Sequence, residues 1–200
     1  MPNWCFTQYV ADGPKDQLQR LYDTMKRLKE MPRPGLIEND FGSSWLGNLV
    51  AELNEGVVPH GFRCRGYYYG LELEDDILRF DTETAWWEAD DTRHLIEDKF
   101  PGVKLYYCAE EFGCGAWGSN DVNHTYFDEQ FYFSAEGYCG EDYMDGENYM
   151  DSLEDLISAV ESTCGVTGLK TYEDCEQAVE AYEDCDGCGA TIVRLTFDED

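Results

Sequence analysis

Between Asn3 and Leu28 the apolar residues change their spacing once, at Asp12-Gly13-Pro14. Before the break, NWCFTQYVA alternates, with Trp4, Phe6 and Gln8 on one side and Cys5, Thr7 and Tyr9 on the other, the period of a strand. After it, Leu18, Leu21, Tyr22, Met25 and Leu28 recur three and four apart, one stripe of a helix that Asp12 or Gly13 caps and Pro14 opens. The outer face of that helix carries Lys15, Arg20, Lys26, Arg27 and Lys29, the one basic surface the chain offers. A strand with one apolar side followed by a helix with one apolar stripe points to a layered α+β domain.

The same switch recurs downstream. MPRPG (31–35) is a breaker-rich loop, and SSWLGNLVAEL (43–53) reads as a short inserted helix capped by Ser43 or Ser44. Arg65 to Leu73 and Ile77 to Trp86 are two strands linked tightly by Glu74-Asp75-Asp76, the second alternating through Leu78, Phe80, Thr82, Thr84 and Trp86. A helix capped by Asp90 or Asp91 follows, with Leu95, Ile96 and Phe100 inward and Pro101-Gly102 as its stop. VKLYYCAEE (103–111) is a strand, FGCGAWGSND a glycine-rich turn, and TYFDEQFYFS (125–134) a further strand. This order predicts a ferredoxin-like βαββαβ sandwich, an antiparallel sheet with two helices on one face, plus an extra strand. Trp4, Phe6, Tyr9, Leu18, Leu21, Met25, Leu78, Phe80, Leu95, Phe100 and Leu105 are expected in one core.

Beyond Tyr138 the composition shifts to an acidic, glycine-broken linker, then a helix over 152–163, a second over 171–185 and a strand over 190–197. The domain reading is therefore 1–140 for the sandwich, with a helical insertion at about 43–54, and 141–200 for an acidic helix–helix–strand appendage packed on it.

Charge is distributed as unevenly as the apolar residues. The chain of 200 residues has a formal net charge of −29, yet residues 1–70 hold 8 acids against 8 bases. Residues 141–200 alone hold 18 acids against 2 bases. Such a field repels nucleic acid and lipid headgroups and attracts basic surfaces, so neither direct nucleic-acid binding nor membrane binding is expected. It serves either solvation or recognition of a basic partner. Lacking a basic segment followed by an apolar one at its start, or any apolar run of membrane-spanning length, the chain is expected in the cytosol.

Chemistry-bearing residues are scattered. In a reducing cytosol the 9 cysteines are expected as packed free thiols. Cys185 and Cys188 form the one close pair, with Cys164 and Cys175 as further ligands were zinc to bind, but no metal or cofactor is expected. The histidines His60, His94 and His124 share no metal-ligand spacing. Cys114 between two glycines, activated by His124, is the arrangement a hydrolase would need. The alternative for Cys114 is a turn position.

Three stretches carry a family resemblance: PNWC at the start, FDTETAWW (80–87) and EEFGCGAWGSND (110–121). Together they resemble the Api-like family, proteins with a ferredoxin-like domain carried on phages, plasmids and conjugative elements. The chain departs from that family in having Trp87-Glu88-Ala89 where prolines are usual, and in its acidic appendage. The resemblance implies a fold and a mobile-element setting, not a reaction. With the charge, it leads to the expectation of an acidic module that binds a basic protein surface, as a nucleic-acid mimic blocking a host defence or restriction protein. Asp151, Glu154, Asp155, Glu176, Glu180 and Glu183, on the polar faces of the two appended helices, are the expected partner-binding residues. A soluble protein whose acidic surface only solvates, and a hydrolase using Cys114 and His124, are the alternatives.

Overall fold

The computed structural model describes residues 3–33, 35–136, 149–183 and 189–199. Its larger sheet is built from β1 (Trp4–Asp12), β2 (Gly66–Glu74), β3 (Ile77–Ala85), β4 (Lys104–Glu111), β5 (Ala116–Ser119) and a short β9 (Thr196–Phe197). Their spatial order is β2-β3-β1-β4-β5-β9, antiparallel throughout except for the β5–β9 pair. The fold is thus mixed α+β with a mostly antiparallel sheet, and β1, the opening stretch, lies near its centre. β2 and β3 are joined through Asp75 and Asp76, both at positive φ (49° and 63°). A two-residue hairpin turn requires that conformation, and Asp tolerates it better than most side chains.

Three helices cover one face of this sheet: α1 (Lys15–Lys29), α2 (Leu46–Leu53) and α3 (Asp90–Lys99). Cys5, Tyr9 and Ala11 of β1 are buried with Leu78 and Phe80 of β3, beneath Leu18, Leu21, Met25 and Leu28 of α1. The Tyr9 and Phe80 rings stack at 4.9 Å. One ion pair is sealed in this layer. Arg93 Nη2 donates to Glu88 Oε1 at 3.1 Å and the Tyr9 hydroxyl donates to Glu88 Oε2 at 2.7 Å, with both charged side chains 2% exposed. Burial pushes the Glu88 carboxyl above its ordinary range, against the pull of Arg93 and the Tyr9 hydroxyl.

Among the described residues no helix covers the other face of the sheet, and three expectations fail there or at the end of β3. Trp4 (36% exposed) and Phe6 (46%) are not core residues, because β1's even positions point to the uncovered side. Trp86 is 61% exposed, since β3 ends at Ala85 and Trp86 takes a positive φ of 78° while its amide donates to the Asn3 carbonyl at 2.8 Å. Two local boundaries also move. The cap position of α2 is Trp45, without a side-chain cap bond, and Ser43 donates instead to the Lys29 carbonyl at 2.9 Å. Residues 125–130 are not strand, because Asp121 Oδ2 accepts from the amides of Tyr126 and Phe127 and holds them as a loop.

A second, three-stranded sheet has the order β7-β6-β8, from β6 (Phe131–Glu136), β7 (Tyr149–Met150) and β8 (Gly189–Arg194). On it pack α4 (Leu153–Cys164) and α5 (Tyr172–Glu183), burying Phe131, Phe133, Leu156, Val160, Cys175 and Val179. Both helices start with a reciprocal cap. Ser152 Oγ accepts from the Asp155 amide and donates to its carboxylate, while at α5 Thr171 Oγ1 accepts from the Asp174 amide and the Thr171 amide donates to the Asp174 carboxylate. Gly165 in the left-handed region (φ 68°) closes α4. The expected closing strand divides at Leu195: β8 stays in the small sheet, and β9 crosses to pair with β5. Trp117, Val193 and Leu195 are buried at that crossing. Among the described residues no helix is long and apolar enough to cross a membrane.

Candidate functional site

Five of the six expected partner-binding carboxylates have described side chains, and all five are exposed: Asp151, Glu154, Asp155, Glu176 and Glu180. The Glu183 side chain lies outside the described residues, although its backbone ends α5. Neither α4 nor α5 contains a Lys or Arg, so no basic residue within either helix answers the acids. The acids do not run the length of α4, however. From Glu154 the exposed stripe continues at Ser158 and Ser162, and Glu161 turns inward to accept the amides of Gly168 and Leu169. Asp155 is held by its cap, and Asp151 accepts from Gln130 Nε2 at 3.4 Å. On α5 the exposed acids Glu173, Glu176 and Glu180 do follow helical spacing. The acidic surface is therefore the whole of α5 and the first turn of α4.

Cys114 and His124 are not brought together. They flank the four residues of β5 at opposite ends, a span of about 13 Å at the rise of a strand. Cys114 is exposed, accepts from Asn3 Nδ2 at 3.2 Å, and has its thiol pushed above its ordinary value by the Glu111 carboxylate. His124 is also exposed, its ring against that of Phe197 at 4.0 Å. A thiol held protonated by a carboxylate, away from the imidazole, is a poor nucleophile. Cys185 and Cys188 lie outside the described residues; Cys164 is half-buried and Cys175 buried, and burial raises both thiols.

The open face of the main sheet holds an arrangement that no local motif announced. Strand register lines up two rows of side chains on this face. One row runs Tyr67, Glu83, Phe6, Glu110, Trp117 across β2, β3, β1, β4 and β5. The next runs Tyr69, Asp81, Gln8, Cys108, Ser119. Carboxylates thus flank β1 on both sides, with rings between and beyond them. A β-bulge follows between Tyr69 and Glu72, with Gly70 at positive φ (59°). A Cβ at Gly70 would stand 2.5 Å from Asp81 Oδ2, so the glycine leaves room for that carboxylate.

The small sheet supplies the wall. Tyr149 of β7 leans over the open face, its ring edge-on to Trp117 at 5.7 Å and its hydroxyl donating to Glu110 Oε2 at 3.1 Å. Between Tyr149 and the two rows lies a groove of about 410 Å³, within the range of ligand sites. Burial raises the Glu110 carboxyl above its ordinary value, opposed by the Tyr149 hydroxyl. Burial also raises Asp81, with Glu72 adding to the effect. None of the ion pairs among the described residues involves Asp81, Glu83 or Glu110.

The three stretches behind the family resemblance converge at one end of this sheet. Asn3 bonds to both Trp86 and Cys114, and Trp4 pairs with Ala85. No family model matches the chain, no curated protein matches its sequence, and no solved structure matches its fold.

Proposed function

We propose that the protein is a binding module of the ferredoxin-like class whose acidic C-terminal helices engage a basic surface on another protein, one that otherwise holds nucleic acid. The strand order β4-β1-β3-β2 under α1 and α3 supports the class, since it is the order a split βαβ sandwich requires. The observation that carries the function is the absence of Lys and Arg from both α4 and α5. A helix face that only solvates gains stability from mixed signs at four-residue spacing. Glu180 and Glu183 moreover sit in the last turn of α5, where the helix dipole disfavours negative charge. They cost stability where they stand. Docking against cationic groups offsets that cost, as the spaced phosphates of a nucleic acid do. The resemblance to the Api-like family makes a host defence or restriction protein the target of such a module.

The test is capture of a basic nucleic-acid-binding partner from lysate at low and high salt, with the purified pair then challenged by duplex DNA. Binding is expected to weaken steeply as salt rises and to be competitive with DNA. A variant with Asp151, Asp155→Asn and Glu154, Glu176, Glu180, Glu183→Gln is expected to lose the partner. Capture of the same partner by that variant at the same salt would leave the acidic helices as a solvating surface.

A further inference from the structure

The open-face groove shares no residue with α4 or α5, so what it binds is a question separate from the helical carboxylates. Its chemistry is mixed in a specific way. Asp81 and Glu110 lie on opposite sides of β1. Asp81 has no hydrogen-bond or ion-pair partner among the described residues, and Glu110 has the Tyr149 hydroxyl alone. Around them stand the rings of Phe6, Tyr69 and Tyr149, with the buried Trp117 as the back wall. Tyr69 is backed by Tyr67 at 5.9 Å, and Tyr149 by Tyr132 at 5.5 Å, so two of the four rings are braced from behind.

This lining excludes most ligands. An anion or a phosphate backbone meets carboxylates. A neutral apolar ligand would strip water from two carboxylates without pairing them, at a cost of several kcal/mol per charge. A divalent cation needs several oxygen ligands together, and the described residues contain no group of three or more acidic, His or Cys side chains that could hold one. What remains is an organic cation. Between the two common ones, the compact ammonium of lysine uses only the charge. The planar guanidinium of arginine also stacks on aromatic faces and bonds a carboxylate through two parallel N–H groups. Trp4, exposed and on the same side of β1 as Phe6, adds a further ring on this face for the chain that carries the cation.

We infer that the groove between the open sheet face and Tyr149 is a recognition pocket for an arginine side chain of a partner polypeptide. Asp81 and Glu110 take the guanidinium, Phe6 and Tyr69 lie against its plane, and the Gln8 amide between the two carboxylates gives an additional acceptor. Gly70, without a Cβ, leaves the Asp81 carboxylate the room it needs.

The experiment is calorimetric titration of the full-length protein with three short peptides, acetyl-Gly-Arg-Gly amide and its lysine and citrulline counterparts. Citrulline keeps the shape of arginine and removes the charge. The arginine peptide is expected to bind saturably at one site, the lysine peptide at least about tenfold more weakly, and the citrulline peptide not measurably. Asp81→Asn and Glu110→Gln are each expected to weaken arginine binding at least about tenfold. Phe6→Leu, which keeps an apolar residue but removes the ring, is expected to narrow the preference over lysine. A five-site variant of α4 and α5 that keeps Asp151, whose carboxylate accepts from the groove residue Gln130, is expected to bind the peptide as the wild type does, which separates this pocket from the helical surface. Equal binding of arginine and lysine, no saturable arginine binding, or groove variants that bind like the wild type would each overturn the assignment.

Discussion

The two faces of the main sheet are built from the same strands, often from adjacent residues, and differ in almost every physical respect. On one face Cys5, Tyr9 and Ala11 are sealed under three helices, and the buried carboxylate beneath them, Glu88, is answered by Arg93. On the other, Phe6 and Gln8 stand among Asp81, Glu83 and Glu110, and no ion pair among the described residues answers them. A buried charge with its partner belongs to the fold. Half-buried carboxylates without a cationic partner, next to exposed rings, cost the fold something and are available to a ligand.

Substitutions on the two faces should therefore separate sharply. Arg93→Ala strands Glu88 in the sealed layer and is expected to cost about 3–5 kcal/mol in urea unfolding. Leu21→Ala in the same layer is expected to cost about 2–5 kcal/mol. Gly70→Ala forces a Cβ into a left-handed backbone and onto Asp81, and about 1–2 kcal/mol is expected for it. Phe6→Ala, one residue from buried Cys5, should cost under about 1 kcal/mol because half of the ring is already in water. A cost for Phe6→Ala equal to that of Leu21→Ala would mean that the open face is core after all.

The smallest effect concerns pH. Asp81 and Glu110 hold protons more tightly in the folded chain than their ordinary values of 3.8 and 4.5. The stability linked to them is thus present below the unfolded values and lost as pH rises through the folded ones. Removing the two charges with Asp81→Asn and Glu110→Gln is expected to raise Tm at pH 7 by about 1–2 °C, and the gain should vanish near pH 4. A loss of stability at pH 7 would show that the two carboxylates are paired in a way that supports the fold. On α4, by contrast, Asp155→Asn should cost about 1 kcal/mol, because Asp155 closes the helix cap.

The chain order of strands and helices was legible because period and breakers agree along most of the sequence. The alternation in NWCFTQYVA also separated the two sides of β1 correctly. Alternation alone does not say which side is covered, and aromatic residues on the uncovered side, Trp4 and Phe6, looked like core. β5 was hidden in a stretch that reads as a turn, since Gly115 and Gly118 interrupt it and only its pairing with β4 and β9 makes it a strand. The division at Leu195 was equally invisible, because a strand that changes sheets keeps one continuous apolar pattern. The groove could not be read at all from local sequence. Its side chains come from five strands and a separate small sheet, and only the register places Asp81, Phe6 and Glu110 side by side.

The most direct test of the two-faced sheet is chemical-shift mapping of the arginine peptide on isotope-labelled protein. The expected result is saturable shifts at the backbone amides of Phe6, Gln8, Asp81 and Glu110 and at the Trp117 indole, with Cys5, Tyr9 and the residues of α4 and α5 unmoved. Shifts that rise linearly without saturating, or that gather on α4 and α5 while the open face stays silent, would contradict it.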